Sequence, residues 1–132
     1  MPWDKPFLTT IFFTVGDSTK KTSTAFRTEV EKFPLAYYEV SETPSNASPT
    51  YTVGWEYSVD GDNWETLFSA ASQNSGSSAI VDLAAVANKP DGAPYLRAFA
   101  TPSQALAGGQ SAQVDIRHSW WVSEDQTGTR TL

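Results

Sequence analysis

This sequence predicts an all-β protein, a single antiparallel β-sandwich or jelly roll of about seven or eight strands, on three observations. Ser and Thr total 30 of 132 residues, with Gly and Pro at 8 each, while charged residues are only 18%. That balance suits short strands joined by polar turns better than long helices rich in Glu, Lys and Leu. Turn clusters recur at roughly 8- to 12-residue spacing, and the segments between them alternate apolar with polar residues, the period of a half-buried strand. The length suits one domain with a real core, and 13% aromatic content argues against disorder.

The elements follow in order. Residues 1–6 carry Pro2 and Pro6 and read as an irregular N-terminal arm, because proline opposes both helix and central strand. Phe7 to Val15 is dense in β-branched and aromatic residues and reads as a strand, broken by Gly16-Asp17-Ser18. Phe26, Thr28 and Val30 alternate with Arg27, Glu29 and Glu31 as a strand with one wet face; Pro34 interrupts, and Leu35 to Val40 resumes. Residues 42–50, with Pro44 and Pro49, form a loop; its Asn46-Ala47-Ser48 matches a glycosylation sequon but is set aside for lack of a secretion signal. Tyr51, Val53, Trp55, Tyr57 and Val59 then hold every second position, a strand with a large aromatic face. Asp60-Gly61-Asp62-Asn63 is turn chemistry, since Gly and Asn accept positive φ cheaply, and Trp64 to Phe68 returns as the hairpin partner.

Residues 69–79 read as a loop of Ser, Ala, Gly and Asn. Ile80 to Leu83 fits a short strand and Asp82 to Asn88 fits a helical turn capped by Asp82; the sequence leaves both open. After the turn cluster 89–94, Tyr95 to Ala100 is a strand. Val114, Ile116, His118, Trp120 and Val122 alternate with Asp115, Arg117, Ser119 and Trp121 in the last one. The domain division is therefore an arm at 1–6, a sandwich at 7–122 and a polar tail at 123–132.

Several classes fall away. With no Cys there is no disulfide framework, thiolate nucleophile or Cys-ligated zinc. The longest apolar runs, such as Ile11-Phe12-Phe13, are far too short to cross a bilayer, and residues 1–6 lack the pattern of a secretion signal. A soluble chain made in a cytoplasm is expected. No Lys or Arg lies between Lys32 and Lys89, where Glu39, Glu42, Glu56, Asp60, Asp62, Glu65 and Asp82 all fall. Phosphate neutralisation needs clustered cations, so nucleic acid is not an expected partner. A solvated acidic surface is the expectation for those carboxylates.

No catalytic set is expected. His118 is the sole histidine, it shares a strand face with Val114, Ile116, Trp120 and Val122, and Ser119 points the other way. A core or interface imidazole fits better than a triad member. Asp60 and Asp62 sit in one hairpin tip and cannot flank a glycosidic bond from opposite sides. The tip resembles the start of a calcium loop, but Glu65 and Ala71 stand where that loop needs Gly and Glu. No catalytic residue, cofactor site or metal site is predicted. Trp120 and Trp121 are adjacent, so a strand sends them to opposite faces, and one must be exposed or covered by another segment. An exposed Trp on a sheet serves sugar stacking or protein packing.

From Trp55 to Leu67 the sequence is similar to a hairpin, Ser-x-Asp-Gly-x-x-Trp, that recurs in discoidin-like β-sandwiches and in structural proteins of tailed bacteriophages. Ser58, Asp60, Gly61 and Trp64 carry it, and Tyr95-Leu96-Arg97 resembles the strand that follows in the phage proteins. The likeness covers roughly residues 51–122 and brings no catalytic residues. It implies a β-sandwich and a virion component, most simply a capsid decoration (cement) protein, assembled in a host cytoplasm on the major capsid protein or another virion protein. The expected mechanism is burial: a homo-oligomer, a trimer by preference, packs over capsomer junctions, with Trp3, Phe7 and Trp120 or Trp121 as contact anchors. Two alternatives share the fold, a carbohydrate-binding module that stacks a glycan on an exposed Trp, and a tail- or baseplate-associated protein.

Overall fold

The computed structural model describes residues 7–27, 35–44, 49–86 and 95–118. The expected arm (1–6) and tail (123–132), Val30, the Asn46 sequon, the turn cluster 89–94, and Trp120 and Val122 of the last strand lie outside the described residues. Nine strands form among the described residues: β1 (Phe7–Phe13), β2 (Lys21–Thr22), β3 (Phe26–Arg27), β4 (Leu35–Thr43), β5 (Tyr51–Ser58), β6 (Glu65–Gln73), β7 (Ser78–Asp82), β8 (Tyr95–Pro102) and β9 (Ser111–His118). A 3-10 turn at Leu83–Ala85 follows β7. The strand and the helical turn left open by the sequence around Asp82 are thus both present, one after the other.

All pairing is antiparallel, and it nests. The hairpin β5–β6 is innermost, then β4–β7, then β2 and β3 on β8, with β1–β9 outermost. Successive nested pairs fall in alternate layers, so the sheets read β1-β9-β4-β7 (sheet A) and β2-β8-β5-β6 with β3 also on β8 (sheet B). A long hairpin wound into two layers in this way is a double-sheet jelly roll. The expected all-β sandwich is what forms; the count rises to nine because β2, a two-residue piece, is too short to leave a periodic signal, while β3 is the described start of the strand expected from Phe26.

The core lies where the two inner faces meet. Tyr51, Val53 and Trp55 of β5 are fully buried, facing Ile11 and Phe13 of β1, Tyr38 and Val40 of β4, and Val114 and Ile116 of β9. Each such aliphatic side chain contributes about 1.5–3 kcal/mol by leaving water. Val59, expected on the same face, stands beyond the end of β5 and is exposed, because the strand ends at Ser58.

The largest departure is at 69–79. Residues 69–73 extend β6 and 78–79 begin β7, leaving only 74–77 as the connecting turn. Ser and Ala have weak strand propensity of their own, but the ladder to β5 (Gly54 to Ser69, Val53 to Ala70) and the packing of Ala70 and Ala79 on the core hold them extended. The ladder is not regular: its register shifts twice, between Tyr51 and Val53 and between Trp55 and Glu56, and Ser72 has φ of 58°.

Candidate interaction surface

Polar groups in this fold divide into those that hold it and those that face out. His118, at the inner end of β9, is 1% exposed and its Nε2 accepts a hydrogen bond of 2.7 Å from the Trp55 indole N–H. The two rings meet edge to face at 6.0 Å. The expected core imidazole is found, and its partner is the central aromatic of the opposite sheet. Across the same interior, the Tyr51 hydroxyl donates to Glu42 Oε2 at 2.7 Å. Burial first, and then this carboxylate, push the Tyr51 phenol far above its ordinary range.

Glu42 and Glu56 correct the expectation of a wholly solvated acidic surface, for both are only 4% exposed. Glu56 lies on the outer face of sheet B, where Lys20 Nζ donates to Oε2 at 2.5 Å and Arg97 Nε to Oε1 at 2.8 Å. Burial raises its pKa, and the two cations more than offset that, so the carboxyl sits below its ordinary 4.5. Arg97 in turn stacks on Trp64 at 4.1 Å, and Lys20 lies 5.3 Å over the Phe99 ring. Phe99 itself covers Gly54, where a Cβ would stand 2.8 Å from the ring and 2.1 Å from the Phe68 carbonyl oxygen. Only glycine allows that approach.

The hairpin tip is a structural turn. One Asp60 carboxylate accepts from the backbone N–H groups of Asp62 (2.8 Å) and Asn63 (2.9 Å), the Asn63 amide and the Ser58 hydroxyl, while Gly61 supplies φ of 86°. Those bonds, the backbone ones foremost, hold Asp60 far below the usual carboxylate range. Among the described residues no group of three or more His, Cys, Asp or Glu is placed to hold a metal ion, and no helix is long and apolar enough to cross a membrane.

The outer face of sheet A is different. In register across it run Thr10, Asp115, Glu39 and Ser78, with Arg117, Tyr37 and Ile80 forming the row beside them. Asp115 accepts from the Thr10 hydroxyl at 3.0 Å and from the Gln113 amide at 3.2 Å. Glu39 stands directly opposite Asp115, a like-charge pairing that costs stability. The Arg117 guanidinium lies 5.6 Å from the Tyr37 ring. Thr10, Tyr37, Glu39, Asp115 and Arg117 line a shallow depression of about 220 Å³. Phe12 on β1 and Ile80 on β7, at the two edges of this face, are 60% and 74% exposed. Chemically this is a broad polar face with an aromatic ring and apolar borders, suited to contact.

Of the expected contact anchors, Trp3, Trp120 and Trp121 lie outside the described residues. Phe7 opens β1, paired in register with His118. Phe12, Ile80 and Tyr37 were not singled out from sequence. The alternation in Phe7 to Phe13 puts Phe12 opposite to Ile11 and Phe13, and that signal was available.

No family model matches the chain, and no curated protein matches it significantly. Among solved structures it is similar to the SPBc2 prophage-derived protein YomS, at TM-score 0.44 and 11% identity over 86% of this chain and 95% of that one. It is also similar to the Yersinia pseudotuberculosis-derived mitogen YPM, at TM-score 0.48 and 12% identity over 96% and 99%. Likeness at this level assigns neither protein's role to this chain.

Proposed function

We propose that this chain is a non-enzymatic structural protein of a tailed-phage virion, a jelly roll that packs as an oligomer on the head shell and stiffens it. The observation that carries the reading is the outer face of sheet A, broad and polar, with Phe12 and Ile80 exposed at its borders. Apolar side chains bordering a flat face suit contact with a macromolecular surface. The buried ionisable groups support it too, since His118, Glu42 and Glu56 each have a partner in the fold. The phage-type hairpin at Ser58 to Trp64 points the same way.

The test is addition of the purified chain to heads lacking it, read by electron microscopy and by the temperature at which the heads open. Regular extra density and a higher opening temperature are expected; no binding at saturating chain overturns the reading. Density on tails alone transfers it to the tail-associated alternative. A second reading, glycan binding, is favoured by the depression around Tyr37, whose carboxylates, hydroxyls and guanidinium match the hydroxyls of a sugar. Retention on a polysaccharide column that Tyr37→Ala abolishes would favour it.

A further inference from the structure

An edge strand offers unpaired N–H and C=O groups, and proteins guard such edges with short strands, charges, prolines or bulges. This jelly roll has four edges. β2 and β3 have two residues each, β7 has five, and β6 carries two register shifts and the positive φ of Ser72. β1 has none of these. Phe7-Leu8-Thr9-Thr10-Ile11-Phe12-Phe13 contains no charge and no proline, and pairs with β9 in seven consecutive registers without a shift. In a chain of net charge −6, it is an uncharged, strongly β-forming segment with no strand on its other side among the described residues.

The direction of its free groups can be read off. The Phe12 carbonyl accepts from Lys21 Nζ at 2.9 Å, and the Thr14 N–H donates to Asp17 at 2.8 Å. Both are taken up by groups outside β9. In an antiparallel strand every second residue turns both its N–H and its C=O to the same side, so Leu8 and Thr10 also direct theirs outward. Lys21 guards only the Phe13 end.

We propose that β1 pairs antiparallel with β1 of a second copy, about a two-fold axis at Thr10, joining two sheets A into one. The segment suits itself as a partner. Thr10 meets Thr10, Phe12 meets position 8, and Ile11 meets position 9, all β-branched, aromatic or aliphatic pairs that favour a sheet. No like charges oppose one another along the strand, which few surfaces of so acidic a chain offer to a copy of themselves. The Phe12 carbonyl has two lone pairs and accepts a second donor beside Lys21. Such an isologous contact closes at two, giving dimers or even-numbered assemblies in place of the expected trimer. It rests on the oligomer part of the shell reading and needs no shell to be seen.

The experiment is sedimentation equilibrium of the full chain with amide hydrogen exchange over a dilution series. A dimer is expected, with the amides of Leu8, Thr10 and Phe12 losing protection as it dissociates. Thr10→Pro removes an outward N–H and the hydroxyl bond to Asp115 but spares the backbone ladder to β9, so the fold holds while dimerisation weakens by about tenfold or more. Phe12→Lys places a charge on the edge without touching the backbone and is expected to do the same. A chain that is monomeric at every concentration overturns the proposal, as does a dimer that both variants leave intact. Head binding by a monomeric chain would sink this contact and leave the shell reading standing; a β1-paired dimer that binds no heads does the reverse.

Discussion

The two outer faces of this sandwich treat a carboxylate in opposite ways. On sheet B, Glu56 sits between Lys20 and Arg97, with Phe99 and Trp64 stacked against those cations, and the strand beneath is buried on both sides. On sheet A, Glu39 and Asp115 oppose each other in register, and Phe12 and Ile80 stay in water. Sheet B is finished by its own chain. Sheet A keeps an arrangement that a purely stabilising design would remove, and departures of that kind gather where a protein meets something else.

If sheet B is finished in this sense, Gly54→Ala is the change it tolerates least. The added Cβ meets the Phe68 carbonyl at 2.1 Å, and backbone cannot swing aside as a side chain can. A loss of about 3 kcal/mol or more is expected, read as a fall in Tm of roughly 10 °C in thermal unfolding. A change under about 1 kcal/mol would show that β5 and β6 are less tightly laid than this comparison requires.

Trp55→Phe tests the contact between the layers. It deletes the N–H that His118 Nε2 accepts and part of the ring that packs on Tyr38 and Phe68. About 2 kcal/mol of stability is expected to go, measured by denaturant unfolding. Adding His118→Leu should restore part of that loss, because the buried acceptor that has lost its indole donor is then gone.

What the sequence made legible follows from the same physics. Period-two alternation at Tyr51, Val53 and Trp55 carries the core of β5, and Asp60-Gly61 carries the turn, because both are local chemistry. The same alternation put His118 inside. Residues 69–73 read as loop because Ser and Ala have little local preference, and only pairing with β5 extends them. Glu42 and Glu56 read as surface because charge is local and burial is not: their partners lie 9 and 36 residues away at Tyr51 and Lys20, and no spacing rule joins them. The open face of sheet A needed the register of β1, β9, β4 and β7, which local sequence does not contain.

Glu56→Gln sharpens the contrast in pH. The folded pKa of Glu56 is below its ordinary 4.5, so its contribution is fully present above that value and is lost as pH falls through the folded pKa. The wild type should therefore lose stability on acidification below about 4.5, and the variant should lose less over that range. At neutral pH the variant leaves Lys20 and Arg97 without their anion. With Lys20 itself 44% exposed, water screens part of that cost, and about 1–2 kcal/mol is expected. Parallel pH profiles for both proteins would assign the acid sensitivity elsewhere.

The smallest effect is the most telling for sheet A. Glu39→Gln removes one of two carboxylates that face each other, while Asp115 keeps its bonds from Thr10 and Gln113. Among the described residues Glu39 accepts only a long contact of 3.4 Å from the Tyr37 hydroxyl, so little is lost with its charge. Denaturant unfolding should show the variant unchanged or more stable by a few tenths of a kcal/mol, the reverse of Glu56→Gln. The sign carries the argument: a carboxylate whose removal helps the fold is not there to hold it together. A loss of 1 kcal/mol or more, estimated against the usual scatter of about 0.5 kcal/mol for surface changes, would mean that Glu39 stabilises the sheet and that the two faces are alike after all.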